Sequence, residues 1–445
     1  MTAALSTGER IGTLLDDLGI DRAHVAGCLS GDWGELVDRW PQRLRSLTVV
    51  APHLNKGTPA GIVSLSAPML VIAGERGAPG ERARTLAARH RDARLVKLAG
   101  YESPMWADTV ADWPDVVAEA LLGFLAEADT RDPAEPLTLP PGEGEIAGLH
   151  YRIRGAGPPL LLLPLSLAPS QWRPVEARLA ERYCTITLGG ARLGAVALIE
   201  DRAASGYGDL VASLLALAAP QAGEVVLEVG CGSGPLARAL ALRTAGRVEI
   251  VAADLNAHLL SEARRLAAGA DHADAIRFVE ANGEALGFAD AAFDVVYCCT
   301  VLEEGDADRM IEEMVRVLRP GGRLVAVTRC VDVDWWANID VPDAVRRRVG
   351  SIGPAAGSGL GAGGCADASL YGRLRRQGLD LRYMGPQFAM YRPGRRLDDV
   401  LDRLLAPLAN DERALCGDAI ARGSADGTLF VAEPFHCAVA VKPAC

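Results

Sequence analysis

The chain has 445 residues, of which 49% are hydrophobic and 23% charged, and its formal net charge is −11. This length predicts two or three domains, and the composition excludes a disordered or fibrous chain. An acidic balance without a block of Lys or Arg argues against binding to nucleic acid or to a membrane surface. Ten scattered cysteines form neither a CxxC pair nor a zinc ligand pattern. We therefore expect free thiols, no metal and a reducing cytoplasm, in the absence of a secretory pattern at the start.

A proline-rich stretch at 129–144 divides the predicted elements and is typical of a linker. Before it, apolar segments that predict strands alternate with segments of helical spacing, which is typical of a parallel sheet covered by helices. The predicted strands lie at 23–26, 47–50, 69–73 and 95–98, and the predicted helices at 11–18, 81–89 and 115–125.

Residues 196–445 repeat this alternation on a larger scale and predict one doubly wound, Rossmann-like α/β sheet. Seven strands are predicted, at 225–229, 249–253, 276–280, 293–298, 322–328, 379–384 and 436–441. A glycine-rich stretch at 350–364 predicts a mobile loop, which is either a plain connector or a lid over a site.

The strongest motif is the run VLEVGCGSGP at 226–235, an apolar strand that leads through a glycine-rich turn into a helix. A dinucleotide-binding fingerprint would have a third glycine at the position of Pro235. Asp254 closes the next predicted strand, where a carboxylate can accept hydrogen bonds from two ribose hydroxyls. Glu228, the turn and Asp254 follow one another at strand ends, which favours a ligand site over a mere tight corner.

These residues resemble the class I S-adenosylmethionine-dependent methyltransferases, and the resemblance covers residues 196–445. The stretches 280–288, 293–302 and 318–324 also fit the family pattern, which is similar to that of the ubiquinone/menaquinone-biosynthesis type. The resemblance implies S-adenosylmethionine as cofactor. It further implies methyl transfer to an O, N or C centre of a small, natural-product-like acceptor.

The resemblance also implies roles for individual residues. The three glycines of the turn would run beside the methionine moiety, Asp254 would hold the ribose, and Leu255 would pack on the adenine. Asn282 stands where the family often has Asp, and its amide oxygen can still accept a hydrogen bond from the adenine amino group. The whole expected cofactor set is Tyr207, Glu228, Gly230, Cys231, Gly232, Gly234, Asp254, Leu255, Asn282, Gly283, Cys298 and Thr300.

Two groups of aromatic side chains have two interpretations each. Tyr207 matches a family aromatic near the methionine end, where its ring would face the sulfonium, or it packs a helix. Trp335 and Trp336 follow the fifth predicted strand. They either wall an apolar acceptor or pack beneath the glycine-rich stretch.

The candidate catalytic residues are Glu303, Glu304 and His436. Displacement at a sulfonium needs no acid for the leaving group, so a general base is optional. The family often has histidine at the place of Glu304. The two glutamates are alternatively a solvated helix start, and His436 is alternatively a histidine of the core.

The front of the chain resembles part of an α/β-hydrolase over residues 14–38. The nucleophile position of its G-x-S-x-G elbow is Leu29, with Ser30 one residue late, and Arg76 and Tyr101 replace the family's acid and base. Triad hydrolysis is therefore not expected.

Residues 150–164 match the beginning of the same family, although they come later in the chain. We therefore predict a degenerate, permuted α/β-hydrolase-like domain over 1–190. Its parts, 1–128 and 145–190, would complete one sheet either within a chain or between two chains of a homodimer. Such a domain would be a structural, dimerisation or acceptor-binding platform.

Two alternatives to plain methyl transfer stay open. One is an S-adenosylmethionine-dependent enzyme that couples methylation to cyclisation. The other is a non-catalytic S-adenosylmethionine-binding scaffold whose hydrolase-like part recruits a partner.

Overall fold

The computed structural model describes residues 5–28, 34–52, 59–102, 107–133, 135–356 and 360–444. The chain divides into two compact units, Met1–Ala197 and Leu198–Cys445. No helix in the described parts of the chain is both long and apolar enough to cross a lipid bilayer.

The N-terminal unit is an α/β unit built on a mixed sheet. Its strands are β1 (Ala23–Gly27), β2 (Leu44–Val50), β3 (Met69–Arg76), β4 (Ala93–Glu102), β5 (Gly142–Ile146), β6 (Leu149–Arg154), β7 (Pro159–Leu162) and β8 (Cys184–Gly189). Its helices are α1 (Thr7–Asp17), α2 (Gly34–Arg39), α3 (Gly77–Arg89), α4 (Thr109–Asp112), α5 (Pro114–Arg131) and α6 (Arg173–Ala180); α7 (Gly194–Ala203) crosses the boundary between the units.

The sheet of this unit joins the two segments on either side of the predicted linker. Its order is β4-β3-β2-β1-β7-β8-β6-β5, and β7 pairs with β1 in parallel, with Val25 opposite Leu161. Leu160 to Leu162 are wholly buried, since both faces of these parallel strands are covered. The pairing that a single sheet requires is therefore present within one chain.

The linker is shorter than predicted, because α5 continues to Arg131 and β5 begins at Gly142. Asp129 lies within α5, where its carboxylate contacts His24 Nε2 at 3.0 Å and accepts a hydrogen bond from Tyr183 Oη at 3.0 Å. Both partners lie in or beside the sheet, and both are distant from Asp129 in sequence. Polar composition alone therefore could not show that Asp129 is a fixed part of the fold.

His24 also contacts Ser46, with 2.7 Å between its Nδ1 and the serine Oγ. The resulting Ser46–His24–Asp129 network lies near the amino ends of β1 and β2, and Ser46 and His24 are wholly buried. Ser46 is not presented to a substrate, so this network has a structural role. Leu29 and Ser30, the residues of the predicted elbow, lie outside the described residues.

The C-terminal unit is also α/β. Its strands are β9 (Val225–Val229), β10 (Glu249–Asp254), β11 (Ile276–Glu280), β12 (Phe293–Cys299), β13 (Leu318–Arg329), β14 (Trp336–Ala337), β15 (Asp380–Tyr391) and β16 (Val431–Val441). Its helices are α8 (Gly206–Ala218), α9 (Pro235–Arg243), α10 (Ala257–Ala267), α11 (Ala307–Val317), α12 (Asp343–Ala356), α13 (Ser369–Arg376), α14 (Arg395–Leu405) and α15 (Asn410–Ala425).

The sheet of this unit has the order β11-β10-β9-β12-β13-β16-β14, and β15 also pairs with β16. The strands β9 to β13 are parallel, whereas β16 runs antiparallel to its neighbours. The seven predicted strands are present. An eighth strand, β14, was not predicted, because two residues are too few to show a strand pattern. The strand order reverses at β9, between β10 and β12, and ligands of such sheets bind beyond the carboxyl ends at this point.

The glycine-rich stretch is not the continuous loop that was predicted. Its first part continues α12 to Ala356, residues 357–359 lie outside the described residues, and the remainder packs on the turn after β12. There the Gly361 amide donates a hydrogen bond to the Glu303 carbonyl over 2.7 Å. A Cβ at Gly364 would lie 2.6 Å from the same carbonyl oxygen, so glycine is needed for this close approach.

Candidate active site

The centre of the site is the turn between β9 and α9. Gly230, Gly232 and Gly234 have φ values of +76°, +55° and +76°, a region that strongly favours glycine. A Cβ at Gly234 would lie 2.7 Å from Cε1 of Phe278, and one at Gly230 would overlap the Val301 side chain. The sequence therefore produces a turn whose backbone is bare of side chains and leads into the amino end of α9.

Asp254, at the carboxyl end of β10, holds this turn in place. Its Oδ2 accepts a hydrogen bond from the Gly232 amide at 2.7 Å, and its Oδ1 accepts one from the Asn256 amide at 2.8 Å. Burial raises the pKa of Asp254 and these two hydrogen bonds oppose the shift. The next residue, Leu255, is 66% exposed although it follows a buried strand. A carboxylate with unused lone pairs therefore lies beside an uncovered apolar side chain.

Three of the predicted cofactor residues direct their side chains into the core. Cys231 packs in the core beneath the turn, and Cys298 in the core on the other face of the sheet. Glu228 is buried and accepts a hydrogen bond from Tyr297 Oη at 2.8 Å, and burial raises its pKa to about 7. Strand alternation causes this placement, so any cofactor contact from these three residues falls to their backbone.

Two further predicted positions lie at the ends of β11 and β12. Asn282 and Gly283 follow β11, and Asn282 Oδ1 accepts a hydrogen bond from the Glu284 amide at 2.9 Å. Thr300 follows β12 in a left-handed conformation with φ of +57°. Its hydroxyl donates to the Cys299 carbonyl at 2.7 Å.

Arg202, in α7, is a residue that the sequence analysis missed. Its Nη1 donates a hydrogen bond to Thr300 Oγ1 at 3.0 Å, and its guanidinium carbon lies 3.9 Å from the centroid of the Tyr207 ring. Its Nε is buried and has no hydrogen-bond partner among the described residues. One face of the Tyr207 ring therefore carries a guanidinium. No sequence signal marked Arg202, because it precedes the motif in a helix.

The fold separates the two adjacent glutamates of the turn after β12. Glu304 is exposed, whereas Glu303 is wholly buried. Neither belongs to a helix, since α11 begins at Ala307. The Oε1 of Glu303 accepts a hydrogen bond from the Arg329 amide at 2.6 Å, and its Oε2 has no partner among the described residues. Burial raises the pKa of Glu303. A buried carboxyl oxygen without a partner is unusual and marks Glu303 as a functional candidate.

His436 lies in β16 opposite Thr328, at the carboxyl end of β13. Its Nε2 lies 2.6 Å from Asp332 Oδ1, and its Nδ1 lies 2.9 Å from Tyr371 Oη. Burial would raise the pKa of Asp332, but hydrogen bonds from His436 and Cys330 lower it to about 2. His436 is therefore a satisfied buried histidine in a polar cluster.

The two tryptophans after β13 differ in their surroundings. Trp335 packs on Gly353 of α12, and its amide donates to the Gly350 carbonyl at 3.1 Å. Packing against the glycine-rich stretch is thus its role. Trp336 is half exposed, with the Arg346 guanidinium 5.7 Å from its ring centroid.

Comparison with known proteins connects this geometry with a chemistry. The family model described as a methyltransferase domain matches residues 226–322. The ubiquinone/menaquinone biosynthesis C-methyltransferase UbiE of Hahella chejuensis is 39% identical over 108 residues, which are 24% of this chain and 43% of that protein. The O-methyltransferase resE of Aspergillus sclerotiorum is 36% identical over 127 residues, or 28% of this chain and 46% of that protein. This chain thus spans less than half the length of either relative.

Among solved structures, the [4+2]-cyclase SpnF is 21% identical with a TM-score of 0.34, over 54% of this chain and 82% of that one. The residues of this chain fit S-adenosylmethionine. The turn at Gly230–Gly234 leaves a space that side chains would fill, and beside it Asp254 offers a hydrogen-bond acceptor and the exposed Leu255 an apolar surface. Within the C-terminal unit, residues 226–322 thus match the family model of a methyltransferase domain.

Proposed function

We propose that this protein transfers the methyl group of S-adenosylmethionine to an O, N or C centre of a small-molecule acceptor. The observation that carries the proposal is the Asp254 carboxylate, which bonds the Gly232 amide and adjoins exposed Leu255 at the reversal of strand order. Together these groups offer a bare backbone, a hydrogen-bond acceptor and an apolar surface. These are the three kinds of contact that an amino-acid chain, a ribose and a purine require.

When bound, S-adenosylmethionine supplies a methyl group on a positively charged sulfur, which leaves without protonation. The glycine turn would hold the methionine portion through backbone groups, and Asp254 would accept hydrogen bonds from the ribose hydroxyls. Leu255 would pack on the adenine, and the burial of its exposed apolar side chain would favour binding. The side-chain carbonyl oxygen of Asn282 would accept a hydrogen bond from the adenine amino group as well, because its contact with the Glu284 amide uses only one of two lone pairs.

We assign the acceptor's proton to Glu303. Because this carboxylate is wholly buried, the bound acceptor must displace the residues that cover it or pass the proton through one water molecule. As the methyl–acceptor bond forms and the carbon–sulfur bond breaks, the proton of the acceptor would pass to Oε2, which has no partner among the described residues. Oε1 stays bonded to the Arg329 amide and fixes the orientation of the carboxylate. Glu304 points outward, and both ring nitrogens of His436 have partners, so neither is as well placed. The exposed face of Trp336 is a candidate wall for an apolar acceptor.

Calorimetry with S-adenosylmethionine and S-adenosylhomocysteine tests the cofactor site. We expect Asp254→Asn to weaken both ligands about tenfold or more, because one charge-assisted hydrogen bond contributes about 1.5–3 kcal/mol. Leu255→Ala should cost about 1–2 kcal/mol for the lost apolar contact.

The matched controls are Glu249→Gln, at the other end of β10, and Leu242→Ala, an equally exposed leucine in α9. Both should bind as the unaltered protein does. Equal affinity in all variants, or no binding by the unaltered protein, would refute the cofactor site.

The mass of the product distinguishes the candidate functions. Transfer adds one CH₂ to the acceptor. Coupled cyclisation adds the same mass, but a double bond of the acceptor is consumed as a ring bond forms, which NMR of the product detects. A non-catalytic scaffold binds the cofactor and converts no acceptor.

We propose that the N-terminal unit is a non-hydrolytic platform for dimerisation or acceptor binding. Support comes from the burial of the Ser46–His24–Asp129 network, which has no accessible nucleophile. We also propose a reducing, cytoplasmic setting, because the eight cysteines of the described residues between Cys184 and Cys437 are buried free thiols. Sedimentation analysis tests the homodimer, and turnover of a generic ester by the full chain would overturn the non-hydrolytic role.

A further inference from the structure

The neighbouring side chains of Cys330 and Asp332 meet that of His436, which is remote in sequence, beside the carboxyl end of β13. Cys330 Sγ lies 3.1 Å from His436 Nε2 and 3.2 Å from Asp332 Oδ1, and the latter two atoms are 2.6 Å apart. Within the described residues, these atoms form a group whose members all lie within 4.8 Å of one another. Cys330 and His436 are buried, and Asp332 has a side chain that is 40% exposed.

Each of the two non-sulfur groups has a second partner that fixes its orientation. Tyr371 Oη lies 2.9 Å from His436 Nδ1, so this nitrogen can donate to the tyrosine while Nε2 points at the cluster. The Ala368 amide donates to Asp332 Oδ2 over 3.1 Å, which leaves Oδ1 directed at the cluster. Such outer partners are the usual support of a histidine or carboxylate that binds a metal.

We propose that Cys330 Sγ, Asp332 Oδ1 and His436 Nε2 bind a divalent zinc ion. One thiolate, one imidazole and one carboxylate form a donor set that suits zinc better than magnesium or calcium, which prefer oxygen ligands alone. Three protein ligands leave the fourth tetrahedral position to a water molecule or to an acceptor oxygen. On binding, the thiol loses its proton to solvent and the sulfur forms the bond to the metal.

The space needed for the ion is small. Zinc bonds of about 2.0–2.3 Å place tetrahedral ligand atoms about 3.3–3.6 Å apart, so the cluster must open by roughly half an ångström. Asp332 can supply this movement, because it lies in the segment after β13 and its side chain is partly in solvent. Without metal the same three groups hold one another by hydrogen bonds, which keeps the donors together.

The metal site has a consequence for the proposed chemistry but does not depend on it. A His436 that binds zinc through Nε2 and contacts Tyr371 through Nδ1 has no nitrogen left for proton transfer. This agrees with Glu303 as the base. Metal binding is measured without S-adenosylmethionine or acceptor, so a failure of either proposal is seen separately.

The first test uses the full chain, reduced and freed of metal by a chelator, and cobalt(II) as a coloured substitute for zinc. We expect one equivalent of cobalt to produce a thiolate-to-cobalt absorption band that zinc then abolishes. Cys330→Ser should remove the band, and Asp332→Asn and His436→Gln should each weaken binding at least tenfold. Tyr371→Phe keeps all three ligands and should weaken binding about 10–100-fold.

Cys416→Ala removes a buried thiol in α15 and should leave the cobalt spectrum unchanged. The second test needs no variant, because X-ray absorption of the zinc-loaded protein reports the ligand atoms directly. One sulfur at about 2.3 Å with nitrogen or oxygen neighbours at about 2.0 Å is expected. No bound metal, a band that survives Cys330→Ser, or a zinc shell without sulfur would each overturn the proposal.

Discussion

The guanidinium of Arg202 stacks on the ring of Tyr207, with 3.9 Å between the guanidinium carbon and the ring centroid. The same guanidinium carbon lies 5.3 Å from the centroid of the Phe435 ring, and both aromatic side chains are buried. A cation therefore already covers one face of the Tyr207 ring. Tyr207 therefore acts on the site by holding Arg202 against Thr300.

Two variants of Tyr207 separate the ring from its hydroxyl. Tyr207→Phe keeps the stacking and loses only a 3.5 Å contact with Thr300, so we expect a change of about 0.5 kcal/mol or less in stability. Tyr207→Leu removes the ring and should destabilise the C-terminal unit by about 2 kcal/mol. Hydrogen exchange of the β9 and β12 amides measures both. Equal effects of the two variants would show that the stacking contributes nothing.

Glu303 should determine the rate of methyl transfer, because it is a buried carboxylate and its Oε2 has no partner among the described residues. We expect Glu303→Gln to lower kcat about 10²–10⁴-fold while the affinity for S-adenosylhomocysteine stays within twofold. Glu304→Gln, one residue further along and exposed, is the control and should keep its rate.

The direction of the Glu303 pKa shift predicts the pH dependence of this rate. Burial raises the pKa, so the carboxylate form that accepts a proton is lost at a higher pH than for an ordinary glutamate. The rate of the unaltered protein should fall as the pH falls through this raised pKa. The residual rate of Glu303→Gln should not fall over this pH range. A fall that persists in the variant would show that another group causes it.

His24 should make the N-terminal unit sensitive to acid. Burial lowers its pKa from the ordinary value of 6.5, so the unfolded chain binds a proton more readily than the folded one. The contribution of neutral His24 to stability is complete above pH 6.5 and declines as the pH falls from there to the folded-state pKa. Hydrogen exchange of the β1 and β2 amides against pH measures this. His24→Gln should show a smaller decline over that range, and an unchanged slope would exclude His24 as its source.

Two helical glycines offer a matched pair of substitutions. Gly353 in α12 lies so close to the Trp335 ring that a Cβ would overlap it, whereas a Cβ at Gly417 in α15 would meet nothing within 4 Å. Gly353→Ala should lower the free energy of unfolding of the C-terminal unit by about 1–3 kcal/mol through overpacking, which thermal unfolding detects as a lower melting temperature. Gly417→Ala should stabilise it by up to about 1 kcal/mol, because alanine favours the helix. A stabilising Gly353→Ala would contradict the packing of Trp335.

The sequence predicted best those parts of the site that one local pattern encodes. The turn at Gly230–Gly234 and the strand end at Asp254 follow from short-range spacing, because a strand, a turn and a helix must succeed one another there. The pattern could not tell which way adjacent side chains point, so Glu303 and Glu304 formed one candidate although the fold buries only the first. It also placed Glu228 among the ligands, where strand alternation turns the side chain to Tyr297.

Contacts between distant segments were beyond the sequence pattern. Arg202 precedes the motif and meets Thr300 almost a hundred residues later, and Cys330 and Asp332 meet His436 only because β16 pairs with β13. No spacing rule covers such separations. The same reason hid the Asp129 contact with His24, which made a helix end resemble a linker.

The position of β16 determines the order in which the C-terminal unit can be completed. Residues 431–441 lie between β13 and β15 in the sheet, so until they are made both neighbours present an unpaired edge. Such long-range pairing is slow to form. His436 and Phe435 arrive only with this strand, so a nascent or trimmed chain can build the glycine turn while the far side of the active site is still open.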